Sequence, residues 1–293
     1  MEQLVGALHE RGIPTRVAWT LEEHRLLVEA ANADPSCRGL VCVGGDGTVS
    51  HLVNQRLNSP LAVLPAGTEN LFARHFRFPS DPRRSARMLA NAHPRVVDLG
   101  CANDRLFVLM AGFGFDAAVV TRHHAMRLRR TGQPRPTSRA AYVEPILRSS
   151  LEYRFPKISV RVDDGHGPRV ISGSTVLFFN VPLYALGLSF APGARDDDGL
   201  LDVVIFRKPG AWQALRYLWL VMMRAHLARR SVFHCRTRAA EVWSEARVPV
   251  QLDGDPAGFL EAGEAQRWGI ECRAGALQVL ASLNSGESGT MSA

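Results

Sequence analysis

Residues 39–48, Gly-Leu-Val-Cys-Val-Gly-Gly-Asp-Gly-Thr, constrain what this chain can fold into more than any other stretch. Leu40, Val41, Cys42 and Val43 form an apolar run of strand length. Gly44, Gly45, Asp46, Gly47 and Thr48 follow, and then Val49, Leu52, Val53 and Leu57 recur at helical spacing. A strand that passes through glycines into a helix presents backbone N–H groups and the positive end of the helix to a phosphate. No lysine of the Walker type follows, so the usual P-loop is excluded. Glycines alone would equally suit a plain turn. Asp46 points further, because a carboxylate beside a phosphate is repulsive unless a divalent cation lies between them or the acid handles a proton. That combination indicates phosphoryl transfer from a metal-bound nucleotide.

A second unit of the same kind follows. Leu61, Ala62, Val63 and Leu64 read as another buried strand. It is ended by Pro65, Ala66, Gly67, Thr68, Glu69 and Asn70, with a helix opening at Leu71. Thr68 or Asn70 can cap that helix. The two strand ends are about twenty residues apart, which leaves room for one crossover helix and so predicts a βαβ unit. Parallel strands of this kind deliver their loops to one carboxyl edge, where open α/β sheets bind ligands.

The organisation changes near residue 93. Before it the pattern is α/β: a helical face of Leu4, Val5 and Leu8, a strand candidate at 16–19, and Thr20 and Glu23 as a capping box for a helix reaching residue 31. After it, strand patterns dominate, at 157–163, 170–180, 200–206, 241–243, 248–252 and 276–280, with helical stretches at 140–150 and 211–229. The expected domains are an α/β nucleotide-binding domain at 1–92 and an antiparallel β-rich domain at 93–281. A disordered Ser/Gly-rich tail is expected at 282–293. The active site is expected in the cleft between the two domains.

Composition narrows the classes. The five cysteines are scattered without metal-ligand spacing, which suits a reducing cytoplasm. The longest apolar run, 217–223, falls far short of a membrane span of roughly twenty residues, and charges at Glu2, Glu10 and Arg11 argue against a signal peptide. The formal charge of +7 lacks the aromatic interleaving of a nucleic-acid surface, so no nucleic-acid partner is expected. Basic residues concentrate at 122–139 among Gly132, Pro134 and Pro136, which predicts a loop that is either solvated or docks transiently on an anionic membrane.

Taken together, Gly44-Gly45-Asp46-Gly47-Thr48 and residues 65–74 resemble the catalytic domain of diacylglycerol and sphingosine kinases, especially the soluble bacterial lipid kinases. Three later matches keep the family's order. Val97-Asp98-Leu99-Gly100 with Asn103 and Phe107 resembles its first strand pair beyond the nucleotide domain, residues 197–202 its Asp-Asp-Gly-Leu-Leu-Asp segment, and Asp253-Gly254-Asp255 its late Asp-Gly-Glu motif. The family's opening strand and Asn-Pro-x-Ser-Gly loop have no counterpart here.

The resemblance implies an ATP-dependent lipid kinase that transfers the γ-phosphate to the hydroxyl of diacylglycerol or a related lipid. A non-catalytic lipid- or nucleotide-binding relative, or a kinase of a soluble acceptor such as NAD, is the alternative. Gly44, Gly45, Gly47, Thr48, Gly67 and Asn70 would hold the nucleotide, joined by Thr20 and Thr68. Asp46 would hold catalytic Mg2+, directly or through water. Asp255 stands at the place of the family's proton acceptor, one methylene shorter than Glu, with Asp253 as the fallback base. An Asp-Gly pair is also a strong hairpin-turn signal. The family's structural Mg2+ would fall on Asp198 and the carbonyls of Arg195 and Leu200. The helix at 211–229, with Trp212, Leu215, Trp219, Met222 and Met223 on one face, packs on the β domain, lines an acyl channel or rests on a bilayer. A cytoplasmic protein peripheral to the inner membrane face is expected, with a homodimer left open.

Overall fold

The computed structural model describes residues 1–131, 143–165, 167–184 and 187–281. These residues form two compact units, one of 1–97 joined by the chain from 275 onward, the other of 98–274. The expected boundary between 92 and 93 lies at the start of a strand, His93–Ala102, whereas the units divide inside it, after Val97; the succession of domains also differs in that the end of the last strand returns to the first unit. The tail at 282–293 lies outside the described residues.

In the first unit, α1 (Glu2–His9) buries Leu4, Ala7 and Leu8 and packs on α5 (Pro82–Asn91). α2 (Leu21–Ala33) starts at the expected capping box: the Thr20 hydroxyl accepts from the Glu23 N–H, and the Glu23 carboxylate accepts from the Thr20 N–H. Residues 16–19 form no strand; Glu23 also accepts the Trp19 N–H at 2.6 Å, which draws that segment into the helix cap rather than into a ladder. β1 (Leu40–Gly44) and β2 (Leu61–Pro65) pair in parallel, Cys42 opposite Val63, with α3 (Asp46–Val53) as the crossover. β2 is buried from Leu61 to Leu64 because it lies between two neighbours, the second being the end of the last strand, β14 (Trp268–Ala281), through Val279 opposite Leu61. α4 (Leu71–His75) follows β2.

The second unit is a β-sandwich. One sheet runs β10 (Val232–Thr237), β9 (Leu201–Phe206), β8 (Thr175–Phe179), β5 (Met110–Gly114), β12 (Val248–Leu252), β13 (Asp255–Leu260), every pair antiparallel. The facing layer pairs the start of β14 with β11 (Ala239–Ser244), β6 (Ile158–Asp163) and β7 (Pro168–Gly173). β3 (His93–Ala102) meets β4 (Arg105–Phe107) with Gly100 opposite Phe107, the strand pair expected there. Alternating inward residues build one core: Phe113, Phe178 and Val203 from one sheet meet Val160, Val242 and Ile270 from the other.

Three helices cover the first of these sheets or its loops. α6 (Phe115–Thr131) packs on β5, β12 and β13, and α7 (Val143–Glu152) packs on α6 and on α8 (Ala211–Met222). The basic stretch expected as a loop from 122 is therefore helical as far as 131; the Gly and Pro residues that suggested a break begin only at Gly132, outside the described residues. Among the described residues, no helix is long and apolar enough to cross a membrane.

Candidate active site

The two loops of the first unit touch. A Cβ on Gly67 would lie 2.6 Å from the Cα of Gly45, so only glycines allow the chains to come this close. Ala66 N–H donates to the Gly44 carbonyl at 2.9 Å, which continues the ladder into the loops. Asn70 folds the second loop on itself: its Oδ1 accepts from the Gly67 N–H and its Nδ2 donates to the Gly67 carbonyl, both at 2.8 Å. Asn70 itself sits in the left-handed region at φ 49°, where Asn is among the few side chains tolerated. It does not cap α4. Asp46 does so from the other loop, accepting from Leu71 N–H at 3.0 Å and Phe72 N–H at 2.9 Å.

Burial pushes the Asp46 carboxyl above the usual carboxylate range, against the two N–H donors that pull it down, and Glu69 adds to the upward push. One acceptor direction of each oxygen is taken by these N–H groups, so a metal–nucleotide would meet Asp46 most easily through water. Thr48 lies against Gly44, where a Cβ would come within 2.5 Å of its hydroxyl oxygen. Thr68 is exposed beside the loop contact. Among the described residues, the hydrogen bonds of Thr20 stay within its own helix cap.

In the second unit, Asp253 and Asp255 have separate positions. Asp253 and Gly254 form the two-residue turn between β12 and β13, with φ of 54° and 84°, the double positive φ of a type I′ hairpin. Asp253 is buried, and its carboxylate accepts from the N–H groups of Val108, Leu109 and Met110 at 2.8–3.1 Å. It is a staple for the chain entering β5, and a role as fallback base would require giving up those bonds. Asp255 is half-exposed at the start of β13, with His124 of α6 3.9 Å away. Of the two acids, Asp255 is the one open to solvent.

Residues 195–200 form a turn tied to β3: the Asp98 carboxylate accepts the Gly199 N–H at 2.6 Å, and Asp98 N–H donates to the Asp196 carbonyl at 2.7 Å. The Asp198 carboxylate accepts from Leu200 N–H on one oxygen and pairs with Arg236 on the other, both at 3.1 Å. Arg195 pairs instead with Asp197. A guanidinium thus shares the Asp198 carboxylate that a structural Mg2+ would use. Among the described residues, no three His, Cys, Asp or Glu side chains cluster as a metal cage.

The sequence left open an acyl channel along the helix at 211–229 but did not show its other walls. A cavity of about 110 Å³ in the second unit is lined by α6, α7, β8, β9 and α8, and its walls are mainly apolar, with Val119, Ile146, Leu177, Phe190, Leu215 and Leu218 among them. Asp116, in the first turn of α6, stands in this wall and accepts from Tyr184 Oη at 2.5 Å and Gln251 Nε2 at 2.8 Å. Desolvation pushes the Asp116 carboxyl up in spite of these two donors. The other end of Gln251 accepts the N–H of Gly254 at 2.8 Å, so a short relay joins the cavity wall to the hairpin that carries Asp255. The signal was the Gly112-Phe113-Gly114-Phe115-Asp116 run, a strand ending in a helix with an acid in its first turn.

Paired glycine loops on a parallel βαβ edge, followed by a two-layer β-sandwich, define a kinase-type architecture. The diacylglycerol kinase catalytic domain matches residues 1–102, and the YegS C-terminal NAD kinase beta sandwich-like domain matches residues 110–281. The chain belongs to the diacylglycerol kinase and YegS family of lipid kinases, and so to the phosphotransferases. It is 29% identical over 261 residues to a diacylglycerol kinase of Mycobacterium tuberculosis, covering 86% of this chain and 81% of that one. With a diacylglycerol kinase of Staphylococcus aureus it shares 26% identity over 260 residues, 83% of this chain and 74% of the other. A solved diacylglycerol kinase structure from Bacillus anthracis has the same fold, with a TM-score of 0.69 at 18% identity over 96% of this chain and 92% of that one.

Proposed function

We propose that this protein transfers the γ-phosphoryl group of ATP to the hydroxyl of a lipid of the diacylglycerol type. In this reading the first unit takes the nucleotide. Its phosphates meet backbone N–H groups of the Gly44–Gly47 turn at the start of α3; Thr48 N–H is already bonded to the Gly45 carbonyl. The close approach of Gly45 and Gly67 keeps side chains out of that surface. Mg2+ bound with the nucleotide would supply charge neutralisation, and Asp46 would hold it, directly or through water.

The second unit takes the acceptor. Asp255 receives the hydroxyl proton at a carboxylate oxygen as that hydroxyl attacks phosphorus. The Asp253 staple and the I′ turn hold the hairpin in place, which is the positioning that phosphoryl transfer depends on. The observation that carries the lipid assignment is the apolar cavity joined through Asp116 and Gln251 to this hairpin. A soluble acceptor such as NAD would call for polar walls instead. Asp116 and Tyr184 offer the polar end of the cavity a fixed hydrogen-bonding pair, and the apolar walls accept part of an acyl chain.

The test is phosphate transfer from labelled ATP to a panel of lipids in mixed micelles with Mg2+, with NAD run in parallel. Transfer to a diacylglycerol is the expected result. Transfer to NAD alone, or binding of ATP with no transfer to any lipid, would sink the proposal.

A further inference from the structure

The outer surface of α8 has no role in the reading above. Trp212, Trp219, Met222 and Met223 are 75%, 57%, 57% and 55% exposed, although such side chains are ordinarily drawn inside. Trp212, Arg216, Trp219 and Met223 follow one another at spacings of four, three and four, so they lie along one helix face. The neighbouring face of the same helix contributes Ala214, Leu215 and Leu218 to the wall of the apolar cavity. These three are half-buried, so apolar surface runs without a polar break from the exposed tryptophans into the cavity wall. On the inner side, Tyr217, Leu220 and Val221 are buried against the sandwich.

Charge distinguishes this face from an ordinary protein interface. Between Asp202 and Glu241 the chain holds no acidic residue, while Arg216, Arg224, Arg229 and Arg230 stand exposed on and just after the helix. A protein partner would be expected to meet mixed charge here. A helix with tryptophans and methionines on one side, whose own and following charges are all cations, has the make-up of a segment lying in the headgroup layer of an anionic bilayer, the neighbouring acids Glu144 and Glu152 being on α7. We infer that α8 is the membrane-docking element of this protein: Trp212 and Trp219 enter the interface of an anionic lipid surface, the flanking arginines pair with its phosphates, and the cavity behind Leu215 and Leu218 is thereby set against the bilayer. This assigns the contact to α8 rather than to the basic stretch at 122–139. The docking rests on the lipid-kinase reading only for its purpose, and it can be tested without nucleotide or acceptor.

The experiment is co-sedimentation of the full chain with vesicles of phosphatidylcholine alone and of phosphatidylcholine with about one quarter phosphatidylglycerol, at low and high salt. The wild type is expected to bind the anionic vesicles preferentially. Trp212→Ser with Trp219→Ser, both exposed and so expected to leave the fold unchanged by circular dichroism, should weaken that binding by about tenfold or more. Arg216→Gln with Arg224→Gln should remove most of the preference for anionic vesicles and its salt dependence. The tryptophan variant should also lose turnover on acceptor presented in vesicles while keeping it on a dispersed short-chain acceptor. Tryptophan-dependent vesicle binding in a protein that phosphorylates no lipid would leave this inference standing and remove the proposed function. Failure of the wild type to bind anionic vesicles, or equal binding by wild type and the tryptophan variant, would overturn the inference whatever the kinase assay gives.

Discussion

The carboxylate of Asp46 accepts the backbone N–H of Phe72 at 2.9 Å, so a residue of the first glycine loop caps the helix that follows the second. With the matching bond from Leu71, this makes Asp46 a structural strut as well as a candidate metal-facing acid. Asp46→Asn turns one of its acceptors into a donor facing a backbone N–H. The variant should lose activity and also about 1–3 kcal/mol of stability, the cost of a buried donor left unpaired. Urea unfolding alongside a magnesium-dependent rate assay checks both. An unchanged unfolding midpoint would show that the bonds contribute nothing.

The two acids of the hairpin should separate cleanly. Asp255→Asn is expected to lower turnover by about a hundredfold to ten-thousandfold, as for a lost general base, with unfolding unaffected because the side chain is half-exposed. Asp253→Ala strands three buried N–H groups and should destabilise the fold by more than about 2 kcal/mol. Paired unfolding curves and rates for the two variants check this; near-normal turnover in folded Asp255→Asn would remove it from the proton-accepting role.

Asp116 predicts a pH effect with a definite sign. Its carboxyl titrates above the ordinary value in the folded chain. Between the ordinary value, about 3.9, and the raised one, the folded state therefore binds the more protons. The stability this contributes is fully present below the ordinary value and declines as pH rises through the window, at up to about 1.4 kcal/mol per pH unit, then levels off. Asp116→Asn cannot ionise, so its stability relative to wild type should climb over that window. Unfolding midpoints of the two proteins from acid to neutral pH measure it, and a constant difference would contradict the shift.

Gly67→Ala should weaken nucleotide binding. The new Cβ would lie 2.6 Å from the Gly45 Cα and 2.9 Å from Asn70 Oδ1, so the two loops must part. Isothermal titration with ATP and magnesium is the check, with a loss of tenfold or more expected for a loop displaced from its phosphate-facing geometry. Wild-type affinity in this variant would place the nucleotide elsewhere.

The glycine loops were legible in the sequence because their signal is local: a four-residue apolar run, glycines and a helical period lie within twenty residues. The capping box at Thr20 and Glu23 was legible for the same reason. What stayed hidden depends on partners far along the chain. Asp46 meets Leu71 and Phe72, and Asp253 meets Val108 to Met110, so neither strut has a sequence signature. β13 went unread because Pro256 and Gly258 weaken a strand pattern, although an edge strand tolerates both. The cavity around Asp116 is assembled from three helices and two strands, and the run from Gly112 to Asp116 marks only one wall of it.

The return of residues 275–281 to the first unit bears on how the protein is made. β2 emerges from the ribosome more than two hundred residues before Val279, the partner that pairs with Leu61. Until β14 is made, an apolar strand that will be central in the mature sheet has one open edge, the kind of edge that invites mispairing. An unmade or frayed end of β14 would therefore leave the β2 edge exposed beside the glycine loops.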